Sequence, residues 1–278
     1  MEKEKSSETS FGAAALRAVH QLIDGEPKIL YDTVVMQLLD PGAPEHLLEK
    51  RPEFDSPELL RLRSHIVLRS RYTEDCLYEA YHRGIRQYVI LGAGLDTFAY
   101  RQPAWAHEMK IIEVDHPASQ ANKLQRLQKA GIRLPENLSF VSLDLETDSL
   151  ASVLKDSVLD PAMPVFVSWL GVMVYLTKDT AENVMKFAAS LPKSSEFVFT
   201  FSQRKRLFWP DVVARAATAI GEPWLTRYNP EELLDKLKAL GFSQISFLDP
   251  REAKRLYYMD KGKTLPPPIV ASIVRCVV

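Results

Sequence analysis

The chain has 278 residues, 46% hydrophobic and 26% charged, an ordinary globular composition with length enough for one large α/β unit and an added subdomain. Its 35 Lys and Arg nearly balance its 36 Asp and Glu, so no overall field points to a nucleic-acid backbone or an anionic membrane as partner. The two cysteines, Cys76 and Cys276, form no metal or disulfide spacing, which argues against a metal site and agrees with a reducing cytoplasm. Residues 1–8 are charged, lack the apolar stretch of a secretion signal, and read as a disordered tail. From Thr9 to about Arg83 apolar residues recur at three- and four-residue intervals, as in Leu16, Val19, Leu22 and Ile23 and again in Leu60, Ile66, Val67 and Leu77. Turn-forming clusters at Asp24–Pro27, Asp40–Pro44 and Arg51–Pro57 break this stretch, so 9–85 is expected to be a helical subdomain.

At Gln87 the period changes, and short apolar runs begin to alternate with amphipathic segments, the pattern of a parallel sheet covered on both faces. Strands are predicted at Tyr88–Leu91, Ile111–Val114, Leu138–Val141, Val165–Trp169 and Phe197–Phe201, with helices at about Ala118–Ala130, Asp148–Asp156 and Lys178–Ser190. Val165 to Leu176 is the nearest approach to a membrane span, but it falls short of the roughly 18 residues required and reads as a buried strand. A helix at Glu231–Leu240, stopped by Gly241, leads to a strand at Phe242–Leu248. The chain then reaches the apolar run Ile269–Val278 with no helix read between, which predicts a hairpin and an antiparallel last strand. The expected fold is therefore α/β, a mostly parallel seven-stranded sheet with an antiparallel last strand in a core spanning 86–278. A cap is expected within it at 203–228, where Trp209, Pro210, Gly221, Pro223 and Trp224 interrupt the pattern.

The first strand runs into Leu91-Gly92-Ala93-Gly94-Leu95-Asp96-Thr97. Glycines there allow a sharp turn and a close approach of ligand to backbone. Thr97 stands where a dinucleotide-binding GxGxxG has its third glycine, which disfavours a pyrophosphate. About 20 residues on, the second strand ends in Glu113-Val114-Asp115, and either carboxylate could accept hydrogen bonds from ribose hydroxyls; Asp115 lies nearer the carboxyl end, where open sheets bind ligands. Asp144-Leu145 follows the third strand at the same edge and suits an adenine amino group and ring.

These residues carry a family resemblance. The segments Thr9-Ser10-Phe11-Gly12-Ala13-Ala14 with Arg17-Ala18, Arg69-Ser70-Arg71-Tyr72-Thr73-Glu74-Asp75, Val89 to Thr97, Tyr100-Arg101, Glu113 to Pro117, Lys123, Asp144-Leu145 and Val172 to Leu176 resemble the leucine carboxyl methyltransferase family, in particular its bacterial S-adenosylmethionine-dependent O-methyltransferase branch. The resemblance implies a Rossmann-like class I methyltransferase fold and S-adenosylmethionine as cofactor. It further implies that Arg69 reaches the cofactor's carboxylate, with Arg71 as the alternative, that Gly92 and Gly94 line the same part of the ligand, that Asp115 holds the ribose, and that Asp144 and Leu145 frame the adenine. A planar guanidinium suits the first of these roles because it can grip a carboxylate with two parallel bonds. The chain departs from the family at Ser168-Trp169-Leu170-Gly171-Val172, where Leu170 takes the place of an acidic residue.

Methyl transfer from a sulfonium is an in-line displacement for which positioning can supply most of the catalysis. The acceptor expected is the carboxylate or hydroxyl of a small molecule, with no nucleic-acid or membrane partner. None of His20, His46, His65, His82, His107 and His116 falls in a ligand spacing, and no general base is assigned; Tyr175, after the fourth strand, is the candidate to face the acceptor. Arg204-Lys205-Arg206 with Phe208-Trp209 could bind an anionic or aromatic acceptor, and the better-supported reading is a solvated charge run beside an anchoring aromatic. The rival readings are a non-catalytic cofactor-binding protein, prompted by Leu170, and an NAD-dependent oxidoreductase, disfavoured by Thr97.

Overall fold

The computed structural model describes residues 8–155, 157–204, 214–215, 217–259 and 265–278. Residues 1–7 of the expected tail lie outside these, as do Lys205, Arg206, Phe208 and Trp209 of the cap; Glu8 already opens the first helix. The leading segment is helical as its periodicity requires: α1 (Glu8–Ile23), α2 (Ala43–Glu49), α3 (Arg51–Phe54) and α4 (Pro57–His82). Pro44, Pro52 and Pro57 each fall in a first helical turn, where the missing N–H costs nothing, so these prolines start helices as well as ending the stretches before them.

The sheet comprises β1 (Gln87–Leu91), β2 (Lys110–Asp115), β3 (Leu138–Ser142), β4 (Phe166–Trp169), β5 (Glu196–Thr200), β6 (Gln244–Phe247) and β7 (Ile273–Val277) in the order β3-β2-β1-β4-β5-β7-β6. The pairs from β3 through β5 are parallel, whereas β7 runs antiparallel to both β5 and β6. Helices α5 (Pro117–Lys129), α6 (Leu150–Lys155), α7 (Lys178–Ala189), α8 (Pro230–Ala239) and α9 (Pro250–Tyr257) follow within the core.

Strand alternation distributes the core over two faces. Val89, Leu91, Ile112 and Val114 pack with Val184 and Met185 of α7 and Leu233 and Leu237 of α8. Tyr88, Ile90 and Ile111, one residue out of step, pack instead with Val67, Leu68 and Leu77 of α4 and Ala253 and Tyr257 of α9. Because both faces are covered, the central strands are apolar throughout, and Phe166 to Trp169 is a buried strand as expected; no helix among the described residues is long and apolar enough to cross a membrane.

The last two strands pair antiparallel, as expected of a hairpin, but their connection is not direct, because α9 intervenes; β7 lies between β5 and β6. The signal for α9 lies in its start: the Asp249 side chain accepts from the amides of Arg251 and Glu252 at 2.8 and 3.3 Å, and Pro250 follows at the first position. Its apolar stripe is only Ala253 and Tyr257, too thin for periodicity to register. The antiparallel direction of the last strand holds.

Candidate functional site

The strand order reverses between β1 and β4, with β2 and β3 on one side and β5, β7 and β6 on the other. At such a reversal the loops leaving neighbouring strands diverge, and a crevice opens at the carboxyl ends. A cavity of about 960 Å³ occupies that crevice, and Arg69, Gly92, Gly94, Asp115, Asp144, Leu145, Leu170 and Tyr175 all line it. Every site residue expected from the sequence is thus brought to one cavity, roofed by α1, α4 and the segment from Ala217 to Leu225.

The pairs left open by the sequence separate cleanly. Glu113 is 1% exposed and turned away from the cavity, its carboxylate held by Lys123 Nζ at 2.6 Å and approached by Tyr100 Oη at 3.3 Å. Asp115 lines the cavity, where Oδ2 accepts from Gly94 N at 2.5 Å and Oδ1 from His116 N at 2.7 Å. Burial raises its carboxyl from the ordinary value against the pull of those two amides. Among the arginines, Arg71 is exposed and paired with Asp75 at 2.8 Å, one helical turn on, whereas Arg69 points inward. Arg63, earlier on the same helix, is fully buried, bonded to Asp24 just past the end of α1 and to Phe54 O.

The Arg69 guanidinium lies against the backbone of Gly171, which has a left-handed φ of 75° and where a Cβ would stand 2.5 Å from Nη1. Burial and the Arg17 charge push its proton affinity down to about 10, with Tyr175 and Asp96 opposing, and it remains a cation at neutral pH. Arg17 differs in being neutralised, its Nε donating to Asp32 at 2.9 Å and its Nη2 to Leu95 O at 2.5 Å. Asp32 also meets Arg101 at 3.4 Å, and Arg101 binds Glu74 of α4 and Thr97. This chain of buried charges clamps α1 and α4 to the glycine loop.

The glycines themselves make room for protein. At Gly92, φ is 65° and a Cβ would lie 2.3 Å from Val172 Cγ2; at Gly94, φ is 46° and a Cβ would lie 3.1 Å from Ser10 Cβ of α1. Both positions need glycine before any ligand is considered. Several cavity residues carried no assignment from the sequence. His65, one turn before Arg69, contacts Ser272 Oγ at 3.3 Å, and burial with the Arg69 charge pushes its imidazole down to about 3. His116 Nδ1 caps α5 by accepting from Ala118 N. Glu222 accepts from Glu8 N at 2.7 Å and from Thr9, joining the start of α1 to the segment before Trp224. The spacing of His65 from Arg69 was a legible cue, but nothing local in the sequence marks Glu222.

The sequence profile described as leucine carboxyl methyltransferase matches residues 10–189. The chain belongs to the leucine carboxyl methyltransferase family. It is an S-adenosylmethionine-dependent methyltransferase with S-adenosylmethionine as its cofactor. YktD of Bacillus subtilis (strain 168), provisionally classed as such a methyltransferase, is 28% identical over 95% of each chain. A similarly classed protein of Mycolicibacterium smegmatis is 30% identical over 75% of this chain and 70% of its own. In fold, the methyltransferase resembles a DUF574 family protein of Streptomyces avermitilis MA-4680 at a TM-score of 0.60, with 17% identity over 99% of this chain and 98% of the other. The family match ends before β5, while the cavity wall continues beyond residue 189.

Proposed function

We propose that the chain is an O-methyltransferase acting on a carboxylate or hydroxyl of a small molecule in the cytoplasm, with Arg69, Gly92, Gly94, Asp115, Asp144, Leu145 and Leu170 forming the cofactor's share of the cavity. The observation that carries the reading is Arg69, a cation inside the cavity that no carboxylate among the described residues pairs with, at the junction of β4 with the crevice. A desolvated guanidinium is costly without an anion, so the position calls for a ligand carboxylate. Asp115 keeps acceptor capacity beyond its two amide bonds for ribose hydroxyls, and Asp144 with Leu145 offers a polar and an apolar contact for a purine. Leu170 lines the wall without a charge, which leaves the cofactor's ammonium to other groups at the same edge.

S-adenosylmethionine, when bound, supplies a methyl group on a positively charged sulfur that an oxygen lone pair can displace. With the cofactor held by Arg69, Asp115, Asp144 and Leu145, an acceptor oxygen would take the methyl by in-line displacement, the electrons of the broken C–S bond remaining on sulfur. No proton has to move if the acceptor is a carboxylate. That case asks for no base, and none is assigned among the acidic groups around the cavity: Asp96 accepts from Phe98 N, Asp144 from Glu146 N, Glu146 from Thr177 and Thr180, and Glu222 from the start of α1. His65 stays neutral but binds protons too weakly to serve as a base near neutral pH. Tyr175, whose hydroxyl burial holds in the protonated form, faces the cavity as a positioning group for the acceptor. The two buried, unbridged cysteines agree with a reducing compartment.

Calorimetry with S-adenosylmethionine and S-adenosylhomocysteine on the wild type and on Asp115→Ala tests the site. The variant is expected to bind at least about tenfold more weakly, the loss of a charge-assisted hydrogen bond. Equal affinity would remove Asp115 from the site, and binding of NAD in place of either nucleoside would overturn the reading.

A further inference from the structure

Behind the cofactor's share of the cavity lies a buried ion pair that touches none of its wall. Glu113 precedes Asp115 by two residues on β2, roughly 7 Å deeper along the strand, and Lys123 reaches it from the middle of α5, donating to Oε2 at 2.6 Å. The two side chains are 1% and 2% exposed. Tyr100 covers them, its ring centroid 5.2 Å from Lys123 Nζ and its Oη donating to the same Oε2 at 3.3 Å.

Glu113 Oε1 has no hydrogen-bond partner among the described residues. An ionised carboxylate with a buried, unbonded oxygen is costly. Burial accordingly pushes Glu113 up to about 7 against the pull of Lys123, and the Asp96 charge adds to the rise. Below that pH Glu113 carries a proton, and the Lys123 ammonium is left uncompensated behind Asp115. We propose, resting on the ribose role given to Asp115 above, that Lys123 is a positioning residue for the cofactor: from behind β2 its charge holds the Asp115 carboxylate in the ionised form that accepts from hydroxyls. Burial opposes that form, while the amides of Gly94 and His116 and the charges of Lys123 and His116 favour it. A unit charge at about 7 Å in a buried setting moves a carboxyl by about one pH unit. The other titratable groups at this edge are Asp96 of the glycine loop, His116 before α5 and Asp144 after β3, which are the same in every variant below, so the comparison isolates Lys123.

The readout is the affinity for S-adenosylhomocysteine as a function of pH, measured by calorimetry. Protonating Asp115 removes its acceptor capacity, so affinity falls on the acid side around a midpoint. In Lys123→Met this midpoint is expected about one pH unit above that of the wild type, because Asp115 takes its proton sooner. In Glu113→Gln, which removes the partner and keeps the cation, the midpoint is expected not to rise. Both substitutions break the same hydrogen bond, so a purely structural pair would weaken binding in both variants alike and at every pH. Lys123→Met combined with Glu113→Gln, which leaves neither charge in the core, is expected to follow Lys123→Met and carries the test if that variant does not fold. A midpoint unmoved by the loss of Lys123, or raised as far in Glu113→Gln, would overturn the inference. An acid midpoint that persists in Asp115→Asn would instead take Asp115 out of the site and overturn the reading on which the inference rests.

Discussion

Gly171 shows how one residue without a side chain holds a charged one in place. Its left-handed backbone and the 2.5 Å separation between a built Cβ and Arg69 Nη1 leave the guanidinium only the volume that glycine vacates. Gly171→Ala is expected to cost about 1–2 kcal/mol from the backbone conformation. Displacement of Arg69 should add a loss of cofactor affinity of roughly tenfold, the worth of one charge-assisted bond. Urea titration and calorimetry separate the two effects, and a stable, fully binding variant would show that Arg69 tolerates displacement. At His65, between pH 6.5 and about 3, the unfolded chain takes a proton that the folded chain refuses, so this residue's contribution to stability falls as pH drops through that window. His65→Gln is therefore expected to lose less stability than the wild type between about pH 7.5 and 4.5, read from urea midpoints at each pH. An equal loss in both proteins would mean that the imidazole is protonated in the folded state.

Among the elements, α1 and α4 are joined to the glycine loop by Arg17, Asp32, Arg101 and Glu74, which gives Arg17, Glu74 and Arg101 of the family pattern a structural part in the fold. Arg17→Met would leave Asp32 facing Arg101 alone in a buried setting and is expected to destabilise the fold by about 3–5 kcal/mol, measured by denaturant unfolding. A loss below about 1 kcal/mol would mean that Arg101 alone satisfies Asp32. Element identity was legible wherever the apolar period was strong: the strands from β1 to β5 and helices α5, α7 and α8 lie within a few residues of their expected bounds. Helix α9 was not, because its capping aspartate and proline are a strong start signal attached to a two-residue apolar stripe. Similarly, the choice of Arg69 over Arg71 depends on helix phase, which the packing of α4 against β4 and β5 settles and a run of arginines does not.

For the whole molecule, the roof of the cavity closes through a contact 213 to 214 residues apart in sequence, where Glu222 accepts from the amides of Glu8 and Thr9. A carboxylate at a helix N-terminus satisfies free amides and complements the helix dipole. Glu222→Ala is expected to cost about 1 kcal/mol, within the range for losing a helix cap, and to speed release of S-adenosylhomocysteine, followed by stopped-flow displacement. Unchanged release would place the ligand's exit away from this contact. What the sequence determined by itself was the local chemistry and order of the parts: a glycine turn after the first strand, acidic residues ending the next two turns of the pattern, and an alternation that admits a covered parallel sheet. These follow from short-range sterics and strand period, which neighbouring residues dictate. Only the tertiary structure decided which carboxylate faces the cavity, which arginine enters it, that Gly92 and Gly94 yield space to Val172 and Ser10, and that Glu222 meets α1. Those outcomes depend on the phase of one element against another and on volume shared between distant segments, and neither quantity is written in local sequence.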